Sequence, residues 1–164
     1  MSEYVKEYTF ENPPKEILYI DGEPLKLSND FYFFHNKNKF RKDLNSLQFL
    51  FRDYVKTSLI AAGIRDTYLK EKYSENNLIV LFTTMETHKR ANEIIEPHLD
   101  KASGSEGYYL ETTSEYILLI AKDMEGLRLG IKLMEEIFKQ TFEDYVNQQK
   151  FDDYIKIRQF KIRN

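Results

Sequence analysis

Two short apolar runs, Tyr108–Thr112 and Tyr116–Ala121, flank the polar triplet Thr113-Ser114-Glu115. That pattern predicts a β-hairpin. From Met124 the period lengthens. Leu127, Ile131, Met134, Phe138, Phe142 and Tyr145 recur at helical spacing, with Leu133 and Ile137 beside them. A long helix from about Met124 to Asn147 follows. Asp123 stands where an N-cap belongs, its carboxylate able to accept from the free amides of the first turn. Gly126 and Gly130 lie four apart and so share a helix face. Each glycine costs about 0.5–1 kcal/mol relative to Ala in a helix interior, so the pair predicts close backbone approach to another element.

Upstream, Leu44, Leu47, Phe51, Val55 and Leu59, broadened by Leu50, Tyr54 and Ala62, predict a first long helix over Asp43–Ala62. Asp43 would cap its start and Gly63 would take the left-handed position after its end. Leu78–Phe82 reads LIVLF, a continuous apolar run expected of a strand buried on both faces. A shorter helix is expected from Thr84 or Thr87 to near Pro97, with Ala91, Ile94 and Ile95 inward. Lys70–Asn77 and Lys101–Glu106 read as loops. Ile17–Ile20 is closed by Asp21-Gly22, which predicts a hairpin with a strand inside Leu25–His35. The tail Tyr154–Ile162 alternates apolar and basic residues like a half-buried strand.

Residues 1–16, with Pro13-Pro14, read as an N-terminal arm with strand structure around Tyr4–Phe10. Residues 17–164 read as a single domain. Hairpins with segregated helices predict an α+β two-layer sandwich. Its sheet is expected to be mixed and mostly antiparallel, with about five to seven strands and two long helices packed on one face.

Composition narrows the function classes. A length of 164 residues suits one domain, and 41% hydrophobic residues suffice for one substantial core. The formal charge of −3 argues against a general nucleic-acid binder, which needs a basic excess to neutralise phosphates. There is no cysteine, which removes disulfides, thiolate metal sites and a Cys nucleophile. The N-terminus MSEYVKEYTFENPP has no apolar run of the signal-peptide kind, and no segment approaches the roughly 20 apolar residues of a membrane span. The expectation is a cytoplasmic, soluble protein without membrane or nucleic-acid partners.

Glu106-Gly107-Tyr108-Tyr109-Leu110-Glu111, a turn, Ile117–Ala121 and Asp123-x-x-Gly126-x-x-x-Gly130 together resemble a known domain. It is the non-catalytic N-terminal domain of β-N-acetylhexosaminidases and related glycosidases. The upstream hairpin, the long helix and LIVLF fall in the same order, so the resemblance spans roughly Ile17 to Ile162. It implies a sheet covered on one face by two helices, with catalysis residing in a following (β/α)8 barrel of roughly 250 residues. This chain stops at Asn164, where that barrel would begin, so no catalytic residue carries over. The chain departs from the family at Arg128-Leu129, where two aromatics are frequent, and at Leu133 and Glu136, where Thr and Gln are frequent.

Chemistry-bearing residues are few. His35, His88 and His98 are too dispersed for a shared metal, and no HExxH pattern is present. Glu106 beside Gly107 is either a general acid or a loop-fixing acceptor, and no titratable partner is identifiable. Ser103-Gly104-Ser105 is too sparse for a phosphate loop. Phe31–Phe34 with Tyr108 and Tyr109 could stack on sugars or form core and edge cover. Lys156, Arg158, Lys161 and Arg163 form a basic tail, either a solvated strand face or a surface for an acidic partner. The expected function is a non-catalytic accessory or protein-interaction domain, without cofactor or metal, working as a homodimer or with a protein partner. An oligosaccharide-binding module and a small enzyme with carboxylate chemistry are the alternatives.

Overall fold

Strand β6 (Tyr108–Thr112) and strand β7 (Tyr116–Ala121) form the expected hairpin and lie at the centre of the sheet, with nearly every side chain buried. Thr113 makes the turn: its Oγ1 accepts the amides of Glu115 at 3.1 Å and Tyr116 at 3.2 Å. This is the local side-chain turn chemistry that threonine offers. The computed structural model describes residues 5, 7–27, 32–35, 46–47, 49–50, 60–63, 77–82, 93–102, 107–147 and 155–164.

Five further strands complete a seven-stranded sheet: β1 (Glu16–Tyr19), β3 (Tyr32–His35), β4 (Ile60–Gly63), β5 (Asn77–Phe82) and β9 (Phe160–Arg163). The order is β1-β9-β6-β7-β5-β3-β4. Strand β2 (Leu25–Leu27) pairs separately with β8 (Ile155–Ile157). The sheet is mixed, but it is not mostly antiparallel. The β1, β9, β6 and β7 half is antiparallel, whereas β7, β5, β3 and β4 run parallel. Ile79 and Val80 of β5 point to opposite faces and are both fully buried, as a parallel strand with two covered faces requires.

The first hairpin is corrected. Ile17–Ile20 does not pair with the segment after it; Glu16–Tyr19 pairs with β9, and Leu25–Leu27 with β8. The N-terminal and C-terminal segments thus run as two antiparallel strips with a break at 20–24 and 158–159. Asp21-Gly22 is a real turn, but one that steps from one strip to the next. Gly22 holds φ 155°, and the Gln159 side-chain amide donates to the Glu23 carbonyl at 2.8 Å. The same break divides the tail expected as one strand into β8 and β9. Within β9 the alternation survives, with Phe160 and Ile162 buried and Lys161 and Arg163 exposed.

Helix α1 (Met124–Asn147) has the expected bounds. The Gly126 amide donates to Asp123 Oδ1 at 2.7 Å, the N-cap bond. Leu127, Ile131, Met134, Phe138 and Phe142 are buried against the face carrying Tyr108, Leu110, Ile117 and Leu119. Phe138 and Phe142 stack with centroids 5.6 Å apart. Both glycines meet the sheet: a Cβ on Gly126 would strike the Gly107 carbonyl oxygen, and one on Gly130 would come within 2.6 Å of Leu119 Cδ1.

The first predicted helix ends too late. Residues 46–47 and 49–50 are helical and Leu47 is buried beside α1, but Ile60–Gly63 is strand β4, so Gly63 is not a helix terminator. Pairing with β3 outweighs the helical preference of Ala61 and Ala62 there. The rest of that stripe lies outside the described residues. The short helix also runs past Pro97. Residues 93–95 are helical and continue as a 3-10 turn over Glu96–Ala102, taking in Lys101, which was expected in a loop. Pro97 sits just after the point where the helical turn tightens to 3-10 geometry. This segment covers the sheet face opposite α1: Ile94 and Ile95 are buried, and His98 stacks on Tyr109 with centroids 4.8 Å apart.

Candidate functional site

Among the described residues, two places gather polar side chains around a buried group. On the sheet face away from α1, Glu111 of β6 is 8% exposed, a carboxylate placed inside a buried central strand. The Tyr116 hydroxyl donates to Glu111 Oε2 at 3.3 Å, and Lys161 Nζ, on the directly paired position of β9, stands 4.0 Å from Oε1. Neighbouring Tyr109 is paired in register with Arg163 and covered by the His98 ring. Burial, then the Glu111 charge, pushes the Tyr109 phenol well above its ordinary range. These contacts hold one carboxylate beside an ammonium and two phenols, an arrangement suited to fixing strand register. Among the described residues no group of three His, Asp or Glu could hold a metal ion.

The second place lies between the arm and α1. Tyr8 inserts its ring edge-on to Phe160, with centroids 6.0 Å apart, and its hydroxyl lies 3.2 Å from Thr141 Oγ1. Thr9 is gripped twice: its amide donates to Gln140 Oε1 at 2.9 Å and its carbonyl accepts from Gln140 Nε2 at 2.8 Å. The Glu11 amide donates to Glu136 Oε1 at 3.3 Å, and Lys132 Nζ is 3.7 Å from the Glu11 carboxylate. Next to these bonds, Asn12, Pro13, Tyr108, Leu129, Lys132 and Glu136 border an open groove of about 270 Å³. Burial, and then the Glu136 charge, raises the Tyr108 phenol to about 12; burial raises Tyr8 to about 12. These phenols stay protonated at ordinary pH and do not act as bases.

The residues singled out in the sequence are scattered by the fold. Asp123 is a helix cap. His98 is a stacking ring, while His88, Glu106 and Ser103-Gly104-Ser105 lie outside the described residues, and His35 ends β3. Tyr108 and Tyr109 are 3% and 2% exposed, so neither offers a ring face to a sugar. The FYFF side chains lie outside the described residues. The basic tail is not one patch. Arg158 lies over the Tyr19 ring at 4.7 Å and within 3.4 Å of Asp21, and Lys161 serves Glu111. Sequence reasoning missed the Gln140 grip and the buried Glu111. The signal for the latter was a lone acid within YYLET; for Gln140, a half-buried amide with no periodic role, there was none.

No protein-family model and no curated protein matches the sequence. Solved structures do. The protein named CpGH84D matches with TM-score 0.66 at 15% identity, over 98% of this chain and 24% of its own. A GH20 exo-β-N-acetylglucosaminidase from Vibrio harveyi, in complex with N-acetylglucosamine, matches with TM-score 0.55 at 10% identity, over 92% of this chain and 18% of its own. A β-hexosaminidase from Streptomyces plicatus, in complex with its product, matches with TM-score 0.57 at 13% identity, over 92% and 25%. The chain spans about a quarter or less of the length of each. It has the fold of one domain of these proteins, in agreement with the resemblance drawn from Glu106–Gly130. Among the described residues no helix is long and apolar enough to cross a membrane.

Proposed function

We propose that this chain is a non-catalytic accessory domain of the glycosidase type, which works by binding protein. The observation that carries the reading is one of proportion. Nearly all of the chain corresponds to a small fraction of relatives described as a β-N-acetylglucosaminidase and a β-hexosaminidase. The local chemistry supports it. Glu111, the one buried carboxylate described, is engaged by Lys161 and Tyr116 within the sheet. The architecture that goes with this reading has two long helices on one sheet face, as a two-layer sandwich. Its support is Leu47, buried in the same cluster as α1.

The test is direct. Purified chain, assayed at high concentration on a chromogenic N-acetyl-β-glucosaminide, gives no turnover above buffer. Turnover abolished by Glu111→Gln would overturn the proposal and turn the Glu111 site into an active centre.

A further inference from the structure

One face of α1 holds peptide backbone. Gln140 accepts from the Thr9 amide and donates to the Thr9 carbonyl, and Glu136 Oε1 accepts from the Glu11 amide. Positions 140, 136, 133, 132 and 129 follow one another along this face at helical spacing. The arm's backbone bonds reach position 136 and stop there. Beyond it the face is open: the groove is bordered by Pro13 from the arm's side and by Leu129, Lys132 and Leu133 from the helix. Polar capacity is left over in it. Glu136 gives Oε1 to the arm, and its Oε2 has no hydrogen-bond partner among the described residues. The buried Tyr108 ring passes under Gly130, whose absent Cβ would stand 3.4 Å from Tyr108 Cγ. Tyr108 lines the groove, its phenol feels the Glu136 charge, and no hydrogen bond to its hydroxyl is made by the described residues. Lys132 is tied only to the Glu11 carboxylate, at 3.7 Å, and its side chain is 54% exposed. Leu129 is exposed too.

We propose that this groove is a peptide-binding site, in which an extended segment of a protein partner continues along α1 from where the arm leaves it. Its backbone N–H donates to Glu136 Oε2, its carbonyl accepts from the Tyr108 hydroxyl and Lys132, and an uncharged apolar side chain rests between Leu129 and Pro13. These are the groups that a peptide unit needs, and the adjoining turns of the same helix already hold the arm by its amides and a carbonyl. Lys132 and Glu136 lie one turn apart and cancel in charge, so the site selects against a strongly charged ligand. A sugar finds no aromatic face to stack on, because the one ring in the groove, Tyr108, is 3% exposed. The volume of about 270 Å³ falls just under the ordinary range of ligand pockets, so only a short stretch is held. Backbone bonds supply the affinity and the apolar contact supplies the selectivity. The inference rests on the reading that the chain works by binding protein, and it names the site and the chemistry of the partner.

The probe is a displayed library of random heptapeptides, selected on the immobilised chain. Enriched peptides are synthesised and titrated into isotope-labelled chain while its amide signals are followed by NMR. The expected peptides share an uncharged apolar position and shift the amides of 129–136, leaving those of 93–102 on the other sheet face unchanged. Leu129→Asp alters an exposed helix position, so the variant folds, and it should weaken binding about tenfold or more. Tyr108→Phe removes only the hydroxyl and should weaken binding about three- to tenfold, the loss of one hydrogen bond, with an unchanged urea midpoint. N-acetylglucosamine, titrated in the same way, should leave the groove amides where they are. The proposal is overturned if no peptide is enriched, if the enriched peptides shift amides elsewhere, or if both variants bind them as the unaltered chain does. Saturable shifts of the groove amides by N-acetylglucosamine also overturn it. Such failure leaves the non-catalytic reading intact, because the hydrolysis assay decides that reading separately.

Discussion

Gly126 of α1 sits directly on the carbonyl oxygen of Gly107, so close that no side chain fits between them. The backbone carbonyl cannot swing aside, because Gly107 leads straight into β6. Gly130 is different: the atom nearest its missing Cβ is Cδ1 of Leu119, the far end of a flexible side chain. Gly126→Ala therefore forces backbone movement and destabilises by about 1–3 kcal/mol, the range for overpacked sites. Gly130→Ala gains about 0.5–1 kcal/mol of helical preference, which offsets the shift of Leu119. Urea unfolding of the two variants should rank them in that order. Equal losses would mean that the two glycines serve one purpose.

Asp123 holds the start of α1 through its bond to the Gly126 amide, at the same point where the helix meets Gly107. Asp123→Ala should cost about 1 kcal/mol, and Asp123→Asn much less, since Asn caps equally well. Urea midpoints measure this. If the Asn variant loses as much as the Ala variant, the side chain acts through its charge and not as a cap.

The hairpin and α1 were legible because local signals and tertiary packing agree there. Thr113 makes its own turn, Asp123 caps, and the stripe from Leu127 to Phe142 has a single period. The partner of β1 was not legible. Ile17–Ile20 followed by Asp21-Gly22 carries the signature of a local hairpin, yet its ladder is made with Phe160–Arg163 at the other end of the chain. Nothing within a short window encodes so distant a pairing. Residues 60–63 failed for a related reason: Ala61 and Ala62 favour helix alone, and become strand only beside β3. At the arm, position 140 gave no hint of its role, because a side-chain amide gripping a distant backbone leaves no periodic trace.

Alkaline solution should unfold this protein early. Tyr8 and Tyr108 are raised by burial from 10.0 to about 12. Below pH 10 both folded and unfolded chains keep these protons, and the full stability is present. Between pH 10 and 12 the unfolded chain releases them first, so stability falls with rising pH. Urea midpoints across this range, with phenolate absorbance followed in parallel, measure the effect. Tyr8→Phe should flatten part of the slope, at a loss of about 1 kcal/mol at neutral pH for the bond to Thr141. An unchanged slope in that variant would show that Tyr8 titrates like a solvent-exposed phenol.

The grip of Gln140 on Thr9 makes a prediction about where the fold opens first. Both bonds are exposed to solvent, and such bonds contribute about 0.5–1.5 kcal/mol net, whereas Tyr8 is locked into the core. The stretch around Thr9 and Glu11 should therefore detach at much lower free energy than the sheet, as weakly buried segments do. Gln140→Ala should speed hydrogen exchange at the Thr9 amide strongly and at the Glu11 amide less. Amides of β6 and β7 should exchange as before. Gln140→Glu keeps the acceptor and loses the donor, so it should preserve protection at the Thr9 amide better than the Ala variant does. If instead both variants accelerate exchange across β6, the arm and the sheet open as one unit, and the backbone grip is part of the core.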